Sequence, residues 1–261
     1  MNRSVNEEVM WLAHEIRKVA DAAPIKIFCA VQAQAEAASF FWPYKLFPVS
    51  GRNAMGARSN PKLCDQWILD SDIFDANATN EQILQAEENH RPDWVVPKDY
   101  LGDVDRTVES VRGFCDAYKS REGGRAELLI PLQPPYVKCY EKLRRFGDYF
   151  AVGSVRDRNL NVDWLKTRRG IIDMLKTDPQ KIIDLVYEER IVSCDSRSWL
   201  IEAINGKYRH FDGVTVVPTP RGKMSGFAVG QRAVASLIDQ AVALANPEKN
   251  GLGKTAWWKL A

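Results

Sequence analysis

Apolar residues recur at helical spacing near the N-terminus, at Val9, Leu12, Ala13, Ile16 and Ala20, and predict an amphipathic helix over about residues 6–21. Pro24 ends it, because proline cannot continue the helical ladder. The pattern then changes: Ile25 to Val31 is apolar except at Lys26 and reads as a buried strand. Residues 32–64 hold no assignable period. Phe40, Phe41, Trp42, Tyr44 and Phe47 supply aromatic mass there, and Ser50 to Pro61 has the Gly, Asn and Arg content of a mobile loop. Trp67-Ile68-Leu69-Asp70 is again a short apolar strand, and it runs into the acidic turn Ser71-Asp72-Ile73-Phe74-Asp75.

From there helical and strand periods alternate. Thr79 with Gln82 forms a capping box for a helix through about Asn89. Pro92 to Pro97 encloses a short strand that runs on to Lys98 and Asp99, and a helix follows from about Asp105 to Lys119 with Val108, Val111, Cys115 and Tyr118 on one side. Glu127 to Leu132 is a third strand of this series, ending at Gln133. Pro134 and Pro135 fit the first turn of the next helix and Gly147 its end. Tyr149 to Val152 ends at Gly153 and Ser154. Helices are predicted over about 161–176 and after Asp178-Pro179, then a strand from Arg190 to Asp195. Ser196 would cap a helix closed by Gly206. Gly213 to Val217 is a last strand candidate, and a helix over about 226–245 precedes the Trp257-Trp258 tail. Such alternation predicts an α/β fold with a mostly parallel sheet, closed as in a TIM-barrel-like (β/α)8 barrel or open. Only about 36 residues separate Gly153 from the next predicted strand, so one barrel element is expected to be lost or reshaped.

Composition narrows the class. Hydrophobic residues make up 45% and charged residues 27% of 261 positions, as in a globular protein, a length that fits one large α/β domain or two small ones. The apolar runs fall short of a bilayer span and the first residues carry charges, so a cytoplasmic protein without a membrane partner is expected. Five scattered cysteines and three histidines (His14, His90, His210) lack CxxC or zinc spacing, which favours free, buried thiols. Net charge is +2, but residues 1–130 balance to −5 and residues 131–261 to +7. Short basic groups, among them Lys142 with Arg144 and Arg145, would fit a phosphate backbone or ordinary solvated helix faces equally well.

The strand ends supply the candidate chemistry: Asp70, Asp99, Gln133, Gly153 and Asp195. In a barrel all of them meet at one face, where active sites lie. Two carboxylates, an amide and an approachable backbone can hold a purine, because Asp accepts from N–H groups and Gln both accepts and donates.

In this order the motifs resemble the tRNA-guanine transglycosylase superfamily. Leu69-Asp70-Ser71-Asp72-Ile73-Phe74 is similar to its Leu-Asp-Ser-Gly-Gly-Phe motif. Val95 to Asp99, Ile130 to Gln133 and Tyr149 to Ser154 are similar to its later strand endings, over roughly residues 65–220. The Asp195-Ser196-Arg197-Ser198-Trp199 ending is most like the DpdA-type DNA-guanine transglycosylases. The resemblance implies a single-domain barrel that exchanges guanine in DNA for a 7-deazaguanine through a covalent Asp-glycosyl intermediate. Asp70 would be the general acid/base and Asp195 the nucleophile. Ser71, Phe74, Asp99, Gln133 and Gly153 would bind the base. Asp212 is the alternative nucleophile, because His210-Phe211-Asp212-Gly213-Val214 and Val217-Pro218-Thr219 also resemble the family.

No redox cofactor, nucleoside triphosphate or metal is implied for the exchange, and the family's zinc ligands are missing. The implied partners are nucleic acid (DNA ahead of tRNA), the free 7-deazaguanine and a protein that helps reach the base. The implied setting is the cytoplasm of a bacterial or phage-infected cell. Exchange on tRNA, a hydrolytic N-glycosidase and a catalytically degenerate nucleic-acid-binding subunit are the rival readings. Asp72-Ile73, in place of the family's Gly-Gly, implies a different turn and favours the last of them.

Overall fold

Eight short parallel strands are hydrogen-bonded in sequence order: β1 (Lys26–Ala30), β2 (Tyr44–Pro48), β3 (Gln66–Asp70), β4 (Trp94–Val95), β5 (Glu127–Leu132), β6 (Tyr149–Val152), β7 (Arg169–Asp173) and β8 (Ile191–Ser196). This computed structural model describes residues 5–30, 42–49, 64–121, 126–153, 169–173, 191–196, 203–205, 207–209, 214–216 and 226–246. β1 pairs with β2 on one side and β8 on the other, so the ladder returns to its start. The ring is thinnest at β4, which meets each neighbour over two residue pairs. Beyond that seam the Val96 N–H still donates to the Leu69 carbonyl at 2.9 Å. Without β4 the remaining strands would form a curled, open parallel sheet.

Five helices are described: α1 (Val5–Ala22), α2 (Asn80–His90), α3 (Val104–Lys119), α4 (Tyr136–Leu143) and α5 (Gly226–Ala245). α2, α3 and α4 each follow one strand and precede the next, which is the βα repeat of a TIM-barrel-like fold. Their starts follow from local chemistry. Thr79 and Gln82 form the predicted capping box of α2, and the Asp103 carboxylate accepts from the Arg106 N–H at the start of α3.

Strand alternation divides the core into two layers. Trp67, Leu69 and Val95 face outward and pack with Ile83 and Leu84 of α2 and Phe114 of α3. Ile68 has the opposite parity and belongs to a second cluster with Phe28, Leu46, Val96 and Leu129, which also takes in helix residues such as Val108 and Leu237. Burying each such side chain contributes about 1.5–3 kcal/mol, which is why single-residue losses here would be felt. The N-terminal end of the ring is filled by first residues of strands. The Lys26 ammonium donates to Gln66 Oε1 at 2.6 Å and sits 5.9 Å from the Tyr44 ring centroid. Trp94 and Tyr149 meet edge to face at 4.8 Å. The opposite end carries the acids. The cysteines are free, with all but Cys64 buried, as expected. No helix among the described residues is long and apolar enough to cross a membrane.

Several expectations are corrected. Within the helix expected over 161–176, residues 169–173 form β7 instead, which pairs with both β6 and β8, and the rest of that span lies outside the described residues. Ile171 and Ile172 are β-branched and favour a pleated surface, and pairing on two sides overrides helical spacing in so short a window. The stretch after Gly153 therefore holds a strand of the sheet. Val214–Val216 (β10) lies outside the ring, antiparallel to β9 (Lys207–Arg209). Only residues 210–213 join the two, and so short a link serves an antiparallel pair, not a parallel one.

Ser196 is the last residue of β8, and residues 197–202, where the helix it would cap begins, lie outside the described residues. Gly147 does not end α4, which stops at Leu143; its place is a close approach, where a Cβ would lie 2.9 Å from Ile130 Cγ1. Pro135 is the N-cap of α4, with the helix beginning after it. Leu12 is exposed, since α1 turns Ala13, Ile16 and Ala20 inward. Tyr44–Pro48, left unassigned, is a wholly buried strand. The helix after Pro179 and the Trp257-Trp258 tail lie outside the described residues.

Candidate active site

Each candidate of the barrel stands where a strand delivers it. Asp70 is the last residue of β3 and half-buried, with the parity of Ile68 and so of the inner layer. Gln133 and Gly153 directly follow β5 and β6. Asp99 follows β4 by four residues, along a buried extension from Val96. Asp195 is the fifth residue of β8, half-buried, and register-matched to Phe28 of β1 and Asp173 of β7. Asp70 and Asp195 are three strands apart, roughly 14 Å along the ring at about 4.8 Å per strand.

Ser71, Asp99 and Gln133 meet in one buried cluster. The Ser71 hydroxyl donates to Asp99 Oδ1 at 2.6 Å and Gln133 Nε2 donates to Asp99 Oδ2 at 2.7 Å. Gln133 Oε1 accepts from the Gly102 N–H at 3.0 Å, which fixes the orientation of the amide. Burial lifts the Asp99 carboxyl above its ordinary range, while the Ser71 hydroxyl, the Lys98 charge and the Gln133 amide pull it back. With one side-chain donor on each oxygen the Asp99 carboxyl is held rigidly, and its remaining lone pairs can accept further donor groups.

The turn after β3 is held from beneath. Asp72 adopts φ 51, a left-handed conformation that glycine takes freely and Asp tolerates better than most residues. The Asp75 N–H donates to the Asp72 carbonyl at 2.9 Å and the Asn77 N–H to Asp75 Oδ1 at 2.9 Å. Asp72→Gly is expected to leave thermal stability within about 1 kcal/mol of the parent. Asp72→Val is expected to lose about 1–2 kcal/mol, because a β-branched residue is strained there. Paired melting curves of the two variants check this.

Three features were not foreseen. Lys98 is buried and its ammonium donates to the carbonyls of Asp72 (2.8 Å) and Asp75 (2.9 Å). The Tyr136 hydroxyl donates to the Gly153 carbonyl. Asp173, at the end of β7, shares the rim with Asp195, and its signal was the run Gly170-Ile171-Ile172-Asp173, another apolar strand ending on an acid. Other candidates stand apart from the cluster. Phe74 is 68% exposed, so it lines the rim and not the interior. Asp212 lies outside the described residues, in the link between β9 and β10.

Among the basic groups, Lys142 is paired with Asp105 and Arg144 with Glu141 at 3.2 Å, while Arg145 sits 4.9 Å from the Phe146 ring centroid. Ion pairing at Lys142 and Arg144 is what a solvated helix face would show. No family model and no curated protein sequence matches this chain.

Proposed function

We propose that this chain is a base-exchange transglycosylase of the guanine transglycosylase type, built on a single-domain TIM-barrel-like fold, a (β/α)8 or slightly reduced barrel. It would replace guanine in DNA with a 7-deazaguanine. The observation that carries the reading is the buried Ser71–Asp99–Gln133 cluster, set on the rim that also bears Asp70 and Asp195. The order of these residues along the strands, similar to that superfamily, supports the choice of reaction.

Asp195 attacks C1′ of the target nucleoside, the C1′–N9 bond breaks, and guanine leaves with the electron pair and takes a proton from Asp70. The sugar is then held covalently with inverted configuration. An incoming 7-deazaguanine gives its N9 proton to Asp70 and attacks C1′, which releases Asp195 and restores the configuration. Two displacements of this kind replace one difficult step, as in retaining glycosidases. The two carboxylates act at the two ends of the C1′–N9 bond, Asp195 at C1′ and Asp70 at N9. Asp99, Gln133 and Ser71 read the edge of the base. A base in a duplex must first be flipped out, with phosphate contacts holding the strand.

Mass spectrometry of nucleosides from DNA and tRNA of cells with and without the protein tests this reading. A 7-deazaguanine deoxynucleoside that depends on the protein is the expected result. Modification confined to tRNA would change the polymer, and none in either would reject the reaction. A Cβ at Gly153 would meet no atom within 4 Å, so the fold itself does not demand glycine there. Gly153→Val is therefore expected to leave the melting temperature unchanged while raising the KM for the free base about tenfold, read from steady-state exchange kinetics.

A further inference from the structure

Lysine is almost never fully buried without a partner, because desolvating an ammonium is expensive. Lys98 is 2% exposed, in the buried extension of β4 immediately before Asp99. Its ammonium is spent on backbone: the Asp72 and Asp75 carbonyls, at 2.8 and 2.9 Å, both in the turn that follows Asp70 and Ser71. Its own backbone N–H is anchored as well, donating to Asn80 Oδ1 at 2.9 Å. Asn80, the first residue of α2, donates in turn to the carbonyl and hydroxyl of Ser110 on α3, at 2.8 and 3.0 Å. Two helices therefore hold Lys98, and Lys98 holds the β3 turn. The turn carries Ser71, whose hydroxyl meets Asp99, the next residue after Lys98.

We propose that Lys98 is a positioning residue: its buried ammonium clamps the Asp72–Asp75 turn to the β4 extension and so fixes Asp70 and Ser71 relative to Asp99 for the exchange. The inference rests on the function proposed above. Surface paint would not need such a device, since a turn stabilised by its own hydrogen bonds can fold without a buried charge. A site that must keep one carboxylate aligned across a gap from a second strand does need it, because small misplacements at reacting groups are costly.

The test is Lys98→Met, which keeps the length and removes the donors. Amide hydrogen exchange of Asp75 and Ala78, whose N–H groups bond within this turn, is expected to lose protection, while α5 amides keep theirs. The kcat for base exchange, measured well below the variant's melting temperature, is expected to fall about tenfold with DNA affinity unchanged. Lys98→Met combined with Ser71→Ala is expected to lose less than the product of the single losses, because both act on one alignment. Unchanged protection at Asp75 and Ala78 would overturn the clamp. Lost protection with an unchanged kcat, or losses that multiply in the double variant, would overturn the positioning role. If Lys98→Met does not fold, Lys98→Gln, which retains an amide donor, carries the same measurements. Failure of the parent protein to exchange bases in any polymer rejects the proposed function instead, and the hydrogen-exchange result still decides the clamp.

Discussion

Asparagine in place of Asp195 is expected to slow base exchange by at least about 10⁴-fold, because it removes the atom that forms the covalent bond. The change is nearly isosteric. Asp195 is half-buried at the C-terminal end of β8, between β1 and β7, so the ladder through Phe28 and Asp173 is kept and a cooperative melt is expected. DNA affinity should stay within about twofold, since phosphate contacts dominate it. The decisive readout is a protein–DNA adduct on a denaturing gel, present with the parent and absent with Asp195→Asn. Asp70→Asn should also lose turnover, because guanine leaves poorly without its proton. Asp212→Asn is the control. A fully active Asp195→Asn beside an inactive Asp212→Asn would move the nucleophile into the link between β9 and β10. An adduct-free parent protein would favour a hydrolase that passes through no covalent state, or a binding subunit.

Legibility followed the contrast between neighbouring periods. Glu127–Leu132 and Tyr149–Val152 were bounded by Gly and Pro and matched the predicted limits, as did the capping box at Thr79. β2 stayed hidden because Lys45 interrupts its apolar run; the lysine is buried, and burial pushes its pKa down. β7 was hidden by helical spacing that pairing with β6 and β8 outweighs. With it went Asp173, an acid on the same rim. The acids at strand ends were visible because apolar runs stop at them. Their meeting was visible only through a ring that single strands cannot announce. Lys98 broke the rule that buried positions are apolar, so no pattern pointed to it. The left-handed conformation of Asp72, one that glycine favours, was likewise not legible in the sequence.

Asp99→Asn separates reading the base from holding the fold. The asparagine can turn its oxygen to Gln133 Nε2 and donate its amide to the Ser71 oxygen, so the Gln133 bond is kept and the Ser71 bond is kept with its direction reversed, the hydroxyl proton turning to another acceptor. What disappears is the negative charge, and with it one or two charge-assisted bonds to a purine, each worth about 1.5–3 kcal/mol. Affinity for the free base is therefore expected to fall about 10- to 100-fold by calorimetry, with the fold intact. Stability should move the other way with pH. The groups facing Asp99 are Ser71, Lys98, Gln133 and the Cys139 thiol, which feels its charge. Burial dominates and raises the folded carboxyl above the ordinary value of 3.8. The folded state then binds more protons than the unfolded one across that interval, and stability falls as pH rises through the raised value. Asparagine carries no such slope. The melting temperature of Asp99→Asn minus that of the parent should accordingly rise from acid toward neutral pH and then level off. A difference that falls with pH would mean that Lys98 and the hydroxyl of Ser71 outweigh burial and that Asp99 is stabilised as an anion. Asp99→Leu, which leaves the Ser71 and Gln133 donors without an acceptor, should be the less stable variant at every pH, by about 2–5 kcal/mol.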